Sequence, residues 1–246
     1  MASRPNEYHP AFEEYCEAIF ELREDQLDVI QARIADRLEV SRPAVSEMIK
    51  RMEANDLVHT ERNAITLTKA GMAIAERVVR RHRLAERFLT DILGLSWALA
   101  HVEAGKWEHV ISEPVEEAMS RVLGEPTTCP HGNPIPGSEY SPVPSIALAE
   151  LPQGAHFVVS RIPEELEFEP GMLEFLEDHQ LVPGREGVVR TAAASGTVMV
   201  EIDGVEVDVT RFASERILVA AGSLDPLPEI SAEVRDFPPF LLRFRG

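Results

Sequence analysis

Between positions 124 and 150 the chain carries six prolines (126, 130, 134, 136, 142 and 144) together with Gly124, Gly132 and Gly137. Proline lacks an amide hydrogen and fixes φ, so this stretch can neither continue a helix nor form a central strand. It divides the chain into parts with different apolar periods. Before it, Phe12, Tyr15, Ile19 and Leu22 recur at helical spacing, and Ile74, Val78, His82, Ala85, Leu89 and Ile92 form one seam. After it, Val198, Val200 and Ile202 alternate with polar residues, Asp203-Gly204 follows, and Val205, Val207 and Val209 resume the alternation. That pattern predicts a hairpin with a type I′ turn. The chain is thus expected to be mainly α with a small β domain over 151–221, joined by a proline-rich linker over 124–150. A strand over 157–162, a short helix over 170–179 and a C-terminal extension over 222–246 complete this division.

Composition narrows the class. Of 246 residues, 44% are apolar, enough for a packed core. No apolar run approaches the ~18 residues a transmembrane helix needs, and Met1–Pro10 carries no signal-like stretch. Cys16 and Cys129 cannot make a disulfide framework, which fits a reducing cytoplasm, and both read as structural or incidental.

The formal net charge of −18 argues against nucleic acid as a partner, because phosphate contact needs positive charge. The charge is unevenly spread, however. Residues 1–28 carry −6, residues 29–83 carry +4 and residues 84–246 carry −16. A local basic block can act as an electrostatic footprint whatever the total.

That block has a recognisable pattern. Residues 29–38 form a short amphipathic helix. After Glu39-Val40-Ser41, a second helix runs over 42–54, with Ser41 as N-cap and Pro43 in its first turn. Strands at 57–60 and 64–67 flank a turn at Arg62-Asn63. Together these read as a winged helix-turn-helix within residues 1–70. Its second helix would present Ser41, Arg42, Pro43, Ala44, Ser46, Glu47, Lys50 and Arg51 to a major groove, with Arg33 and Arg62 near phosphates. Glu47 can accept from a cytosine amino group but repels phosphate.

Residues 71–123 form a helical region, with helices over about 68–93, 96–111 and 113–123, and potential metal ligands recur around it. Glu14 and Glu17 lie three apart; His82 and Glu86 lie four apart; His101, Gly105, Glu108 and His109 share one helical face. His and carboxylate at helical spacing suit a divalent cation held between helices.

The runs RRHRLAERFLTDILGL (80–95), KWEHVISEPVEE (106–117) and HGNPIPG (131–137), with the unit ARIADRLEVSRPAVSEMIKRME (32–53), resemble the diphtheria toxin repressor family of metal-dependent transcriptional regulators. The resemblance spans about residues 10–220. It implies a winged helix-turn-helix, a helical metal-binding and dimerisation domain and an SH3-like β barrel. It also implies a cytoplasmic homodimer, not an enzyme, that binds Mn²⁺ or Fe²⁺ and then double-stranded operator DNA, with no membrane or small-molecule substrate involved. One metal site matches Glu14, Gly105, Glu108 and His109. The other matches His82, Glu86 and His101, with Glu169 from the SH3-like domain; a second residue from that domain falls near Met172. Glu14 and Glu17 match the carboxylates of the manganese-selective branch, whereas the iron-selective branch has methionine at position 14. Position 105, where the family supplies cysteine or glutamate, is glycine, leaving a backbone carbonyl, with water, Glu17 or Glu103 as substitutes. A regulator of the same fold responding to Zn²⁺, Co²⁺ or a non-metal signal is the alternative.

Overall fold

The computed structural model describes residues 10–193 and 196–221. The first nine residues of the expected 1–70 domain and the extension 222–246 lie outside the described residues. The chain opens with helix α1, Pro10–Glu24, which buries Phe12, Tyr15, Cys16, Ile19 and Leu22. Next come α2, Gln31–Arg37, and α3, Arg42–Ala54. The Ser41 hydroxyl accepts from the Ala44 amide at 3.3 Å, and Pro43 lies in the first turn, where no intrahelical donor is lost. Strands β1, Val58–Glu61, and β2, Ala64–Leu67, pair antiparallel around Arg62, whose φ is +57°. This is the winged helix-turn-helix read from the apolar spacing.

Helix α4, Lys69–Asp91, is the spine of the molecule. Its first half, through Ile74 and Val78, packs with α1–α3 and the wing. Its second half, through Leu84, Ala85 and Leu89, packs with α5, Trp97–Trp107, and α6, Glu113–Val122. The α5 helix stops at Trp107, short of the expected Ile111. Glu108 keeps helical dihedrals as its C-cap, so the ligand face persists one residue beyond the helix.

The β region is a six-stranded antiparallel sheet in the order β3-β8-β4-β5-β6-β7. Its strands are β3, Ile146–Ala147; β4, His156–Arg161; β5, Glu186–Ala192; β6, Val198–Ile202; β7, Val205–Val209; and β8, Leu218–Ala221. Short helices α7, Glu164–Glu167, and α8, Met172–Asp178, follow β4, and α9, Arg211–Ser214, follows β7. Bulges at Val159/Arg161 and Val189/Thr191 bend the sheet around Phe157, Val159, Val189, Val200 and Val219. The β6–β7 turn has positive φ at Asp203 and Gly204, as a type I′ turn requires. Among the described residues no helix is long and apolar enough to cross a membrane.

The proline-rich segment is more than a linker. Cys129, His131, Asn133 and Ile135 are buried, and Thr128 bridges Pro134. Prolines lack donors but keep acceptors. The Pro134 carbonyl accepts from Arg83 at 2.5 Å, and that of Pro136 from Arg80 at 2.9 Å. Asn133 donates to the Ile162 carbonyl at 3.0 Å and to Glu167 at 2.7 Å. The segment therefore stitches α4 to β4 and α7.

One glycine sets how closely the wing meets α4. A Cβ on Gly71 would run into the Leu57 backbone carbonyl. Gly71→Ala is expected to lower unfolding stability by about 1–3 kcal/mol, as overpacking against an unyielding backbone does. Urea denaturation followed by circular dichroism measures it.

Candidate metal centre

Helix α1 turns Glu13, Glu17 and Glu21 inward, four residues apart, although its carboxylates have the composition of a solvated face. Glu14 stays on the rim, its side chain 53% exposed. Helix α4 contributes His82 and Glu86, one turn apart and both buried. Helix α5 and its C-cap contribute His101, Gly105, Glu108 and His109. The proline-rich segment adds Cys129 and His131, and α7 adds Glu167. Helices α1, α4, α5 and α7 line an open cavity of about 450 Å³ whose walls include Glu14, Glu17, His82, Gly105, His109 and Glu167.

The donors form a chain. At the outer end His109 Nδ1 lies 2.9 Å from Glu13 Oε2, while His109 Nε2 lies 3.2 Å from Glu108 and 3.9 Å from Glu14. In the middle His82 Nδ1 lies 2.5 Å from Glu108 Oε2, and Glu17, His82 and Glu108 bring ligand atoms within 4.8 Å of one another. At the inner end Glu86 Oε1 lies 3.1 Å from His82 Nε2 and 3.0 Å from His101 Nδ1. Glu167 Oε2 lies 3.3 Å from His101 Nδ1 and 2.8 Å from His131 Nδ1. Glu86, Cys129 and His131 make a further group with the same 4.8 Å spread, as do His82, Glu86 and His101.

Burial in this cluster is answered by charge. Burial disfavours the His101 imidazolium, but the adjacent Glu167 carboxylate and the hydrogen bond to Glu86 outweigh it and lift the group to about 9. His82 is held well above the usual histidine range: Glu86 and Glu108 overcome its burial. Burial opposes ionisation of Glu167, yet the His131 charge brings it down to about 2. For Glu17 the His82 charge is not enough. Burial pushes its carboxyl well up, and the Glu108 and Glu21 carboxylates push it further.

The residues fit a divalent cation. Glu17 Oε1, Glu167 Oε2 and both ring nitrogens of His131 are buried without a hydrogen-bond partner. The 2.8 Å approach of His131 to Glu167 is thus a close charge contact without hydrogen-bond alignment. Buried lone pairs left unpaired are costly, and a cation supplies what they lack. Carboxylates, imidazoles and one thiol are the donor types of first-row divalent sites.

Most of the expected ligands converge, with one correction. Glu17, His82, Glu86, His101, Glu108 and His109 line one continuous site, with Glu14 and Gly105 at its mouth. Glu169 does not enter it: it is exposed, and Glu167 takes the place expected for it. Helix α7 is a single turn, and two residues rotate a side chain by about 200°, to the opposite face. Met172 packs on the β core instead. The structure also brings Glu13, Cys129, His131 and Glu167 to the cluster, as candidate donors that the helical spacing does not mark; for two of them the signal in the chain is a Cys-x-His pair inside the proline-rich loop. At Gly105 a Cβ would meet nothing within 4 Å. Gly105→Glu is therefore expected to fold and to raise Mn²⁺ affinity about tenfold by adding a carboxylate donor, as Mn²⁺ titration monitored by electron paramagnetic resonance would show. Because metal must displace protons from His101, binding at pH 7.5 should release protons, and affinity should rise with pH towards about 9. Calorimetry in buffers of different ionisation enthalpy measures that release.

The helix-turn-helix offers a second surface. Ser41, Arg42, Pro43, Ala44, Glu47, Lys50, Arg51 and Arg62 are exposed, and Arg33 and Ser46 are half-buried. Arg33, Arg42, Lys50, Arg51 and Arg62 make no ion pair among the described residues, so their charge faces outward. Arg51 also stacks over the Phe12 ring at 5.5 Å, tying α3 to α1.

Comparison with known proteins agrees with both surfaces. Residues 8–64 match the iron dependent repressor N-terminal DNA binding domain. Residues 68–137 match the iron dependent repressor metal binding and dimerisation domain, and 146–221 match the FeoA domain. The iron-dependent repressor IdeR of Mycobacterium leprae is 40% identical over 206 residues, covering 79% of this chain and 89% of that protein. The diphtheria toxin repressor of Corynebacterium diphtheriae is 46% identical over 126 residues, covering 51% of this chain and 56% of that one. A manganese-dependent transcriptional repressor in complex with manganese superposes with a TM-score of 0.77 at 31% identity, over 85% of this chain and 99% of the other. The manganese regulator SloR superposes at 0.70 and 30% identity, over 86% and 98%. With its DNA-binding, metal-binding and FeoA-type regions all matched in order, the chain belongs to the iron-dependent repressor family, which includes the diphtheria toxin repressor.

Proposed function

We propose that this protein is a homodimeric transcriptional repressor that binds operator DNA once it holds Fe²⁺ or Mn²⁺. One observation carries the reading: a single buried donor cluster draws ligands from α1, from α4 and α5, and from α7 of the β region. A cation there joins the helix packed against the DNA-binding unit to the other two parts of the molecule. The inner set is Glu86, His101, Cys129, His131 and Glu167. The outer set is Glu14, Glu17, His82, Glu108 and His109, with the Gly105 carbonyl beside it. When bound, the ion neutralises carboxylates that otherwise repel and replaces the protons on the imidazoles. The chain's part is to hold α1 against α4 and α5 and so fix α2 and α3.

Several features support the partners. The exposed residues at the start of α3 suit base edges and phosphates, and two such helices in a dimer suit successive major grooves. Leu93, Leu99, Val110, Val115 and Val122 are exposed apolar residues of the helical region, the part matched by the dimerisation domain. Of the inner donors, Glu86, Cys129, His131 and Glu167 are buried and His101 is half-buried, which leaves a held ion little access to a substrate and suits a non-enzymatic role.

Cys129 alters the expected metal preference. Its thiol, pushed up by burial, sits beside Glu86 and His131. A thiolate donor makes the inner set softer than the oxygen-and-imidazole site read from the sequence, favouring Fe²⁺ there, while the outer carboxylates suit Mn²⁺. Zn²⁺ and Co²⁺ belong in the same titration for that reason.

The test is fluorescence anisotropy with a duplex selected from a random pool by the wild-type protein. Moving a two-state equilibrium from 1:99 to 99:1 takes about 5.5 kcal/mol of differential binding. Metal is therefore expected to raise operator affinity at least ~100-fold over chelator, and His131→Ala and Glu108→Ala should each abolish most of that rise. Equal affinity with metal and with chelator rejects the reading.

A further inference from the structure

Phe168 is the C-cap of α7 and follows directly on Glu167. Its ring meets the His101 imidazole edge-on, with centroids 5.3 Å apart and planes at 87°. Its face carries the Arg37 guanidinium, with Cζ 4.1 Å from the ring centroid. Arg37 is the last residue of α2, the first helix of the helix-turn-helix. Its side chain is 6% exposed, Nη1 donates to Glu21 at 3.1 Å, and Nη2 is buried without a hydrogen-bond partner. The guanidinium is therefore held by one carboxylate from α1 and one aromatic face from the β region. Phe168 itself is 48% exposed, so burial alone does not account for its place.

We infer that Phe168 is a positioning residue that couples the inner donor set to the DNA-binding unit by holding Arg37 of α2 over its ring. The inference rests on the reading that Glu86, His101, His131 and Glu167 take the ion. Fixing the Glu167 carboxylate and the His101 ring fixes the two neighbours that orient Phe168. The ring then presents its negative face to a buried cation at the end of α2. Neither Phe168 nor Arg37 offers a ligand atom to the ion, and Arg37 lies on α2 rather than on α3, whose first residues suit the base edges. The contact acts through position, by narrowing the orientations of α2 and hence of α3.

Phe168→Ala tests this, since a half-exposed turn residue can be truncated without opening the core. Mn²⁺ stoichiometry and affinity, thermal unfolding without metal, and operator affinity with Mn²⁺ and with chelator are measured on the full chain. Expected are unchanged Mn²⁺ binding and unfolding, with operator affinity in Mn²⁺ reduced about tenfold and affinity in chelator unmoved. A tenfold change corresponds to about 1.4 kcal/mol, within the range of a partly desolvated cation–π contact. Phe168→Trp should restore the wild-type affinity and Phe168→Leu should not. Amide hydrogen exchange in α2 should slow with Mn²⁺ in the wild type and not in Phe168→Ala. Wild-type operator affinity in Phe168→Ala overturns the inference, as does an equal loss with and without Mn²⁺ or a loss of Mn²⁺ binding itself. A wild-type protein whose DNA affinity ignores Mn²⁺ is a different result: it removes the underlying reading and this inference with it.

Discussion

The structure depends on how Glu86 is neutralised. This carboxylate sits 1% exposed near the middle of the molecule, and an isolated buried charge of that kind is untenable. His82 and His131 hold it well below the usual carboxylate range despite its burial. His82 comes from α4 itself, α5 adds His101 at 3.0 Å, and the proline-rich segment must fold inward to deliver His131; α7 then sets Glu167, a second carboxylate, against His101 and His131. The architecture around the site can be read as the solution to one electrostatic problem. The same solution makes the cluster responsive, because protons and a divalent cation compete for the same lone pairs.

A second buried group reinforces the docking. Arg83 is fully buried and reaches Glu24 at 2.6 Å and Glu164 at 2.8 Å, besides the Pro134 carbonyl. Arg161 closes the arrangement from the β side, pairing with Asp25 at 2.7 Å and Glu24 at 3.1 Å. Such pairs contribute less to stability than their short distances imply, because both partners lose water. Their geometric demand is strict, however, and removing one partner strands the other. They set the orientation of the β region on α1 and α4, and that orientation lets Glu167 and Phe168 reach across.

The uneven charge takes its meaning from this arrangement. The excess acid of α1 is turned inward towards imidazoles and arginines rather than spread over the face that meets DNA. The basic block keeps its free arginines and Lys50 on α2, α3 and the wing. A total of −18 is therefore compatible with a DNA-binding surface, because the two signs occupy different faces.

Periodicity, caps and turn chemistry are local, and they were legible in the chain. Ser41 and Pro43 at the start of α3, Thr68 at the start of α4, and Asp203-Gly204 between β6 and β7 each act through neighbours a few residues away. The ligands on helices were legible for the same reason: His82 with Glu86, and His101 with Glu108, share a face by helical geometry alone. Cys129, His131, Glu13 and Glu167 were not, since no local period marks a ligand in a proline-rich loop, on a crowded acidic helix or in a one-turn helix. The choice of Glu167 over Glu169 was likewise tertiary, fixed by where a single helical turn ends against α5. The sequence by itself determined the elements and the outer candidate donors; only the packing of the β region onto α1, α4 and α5 decided the inner donor set, because burial and charge there join residues as far apart as Glu86 and Glu167.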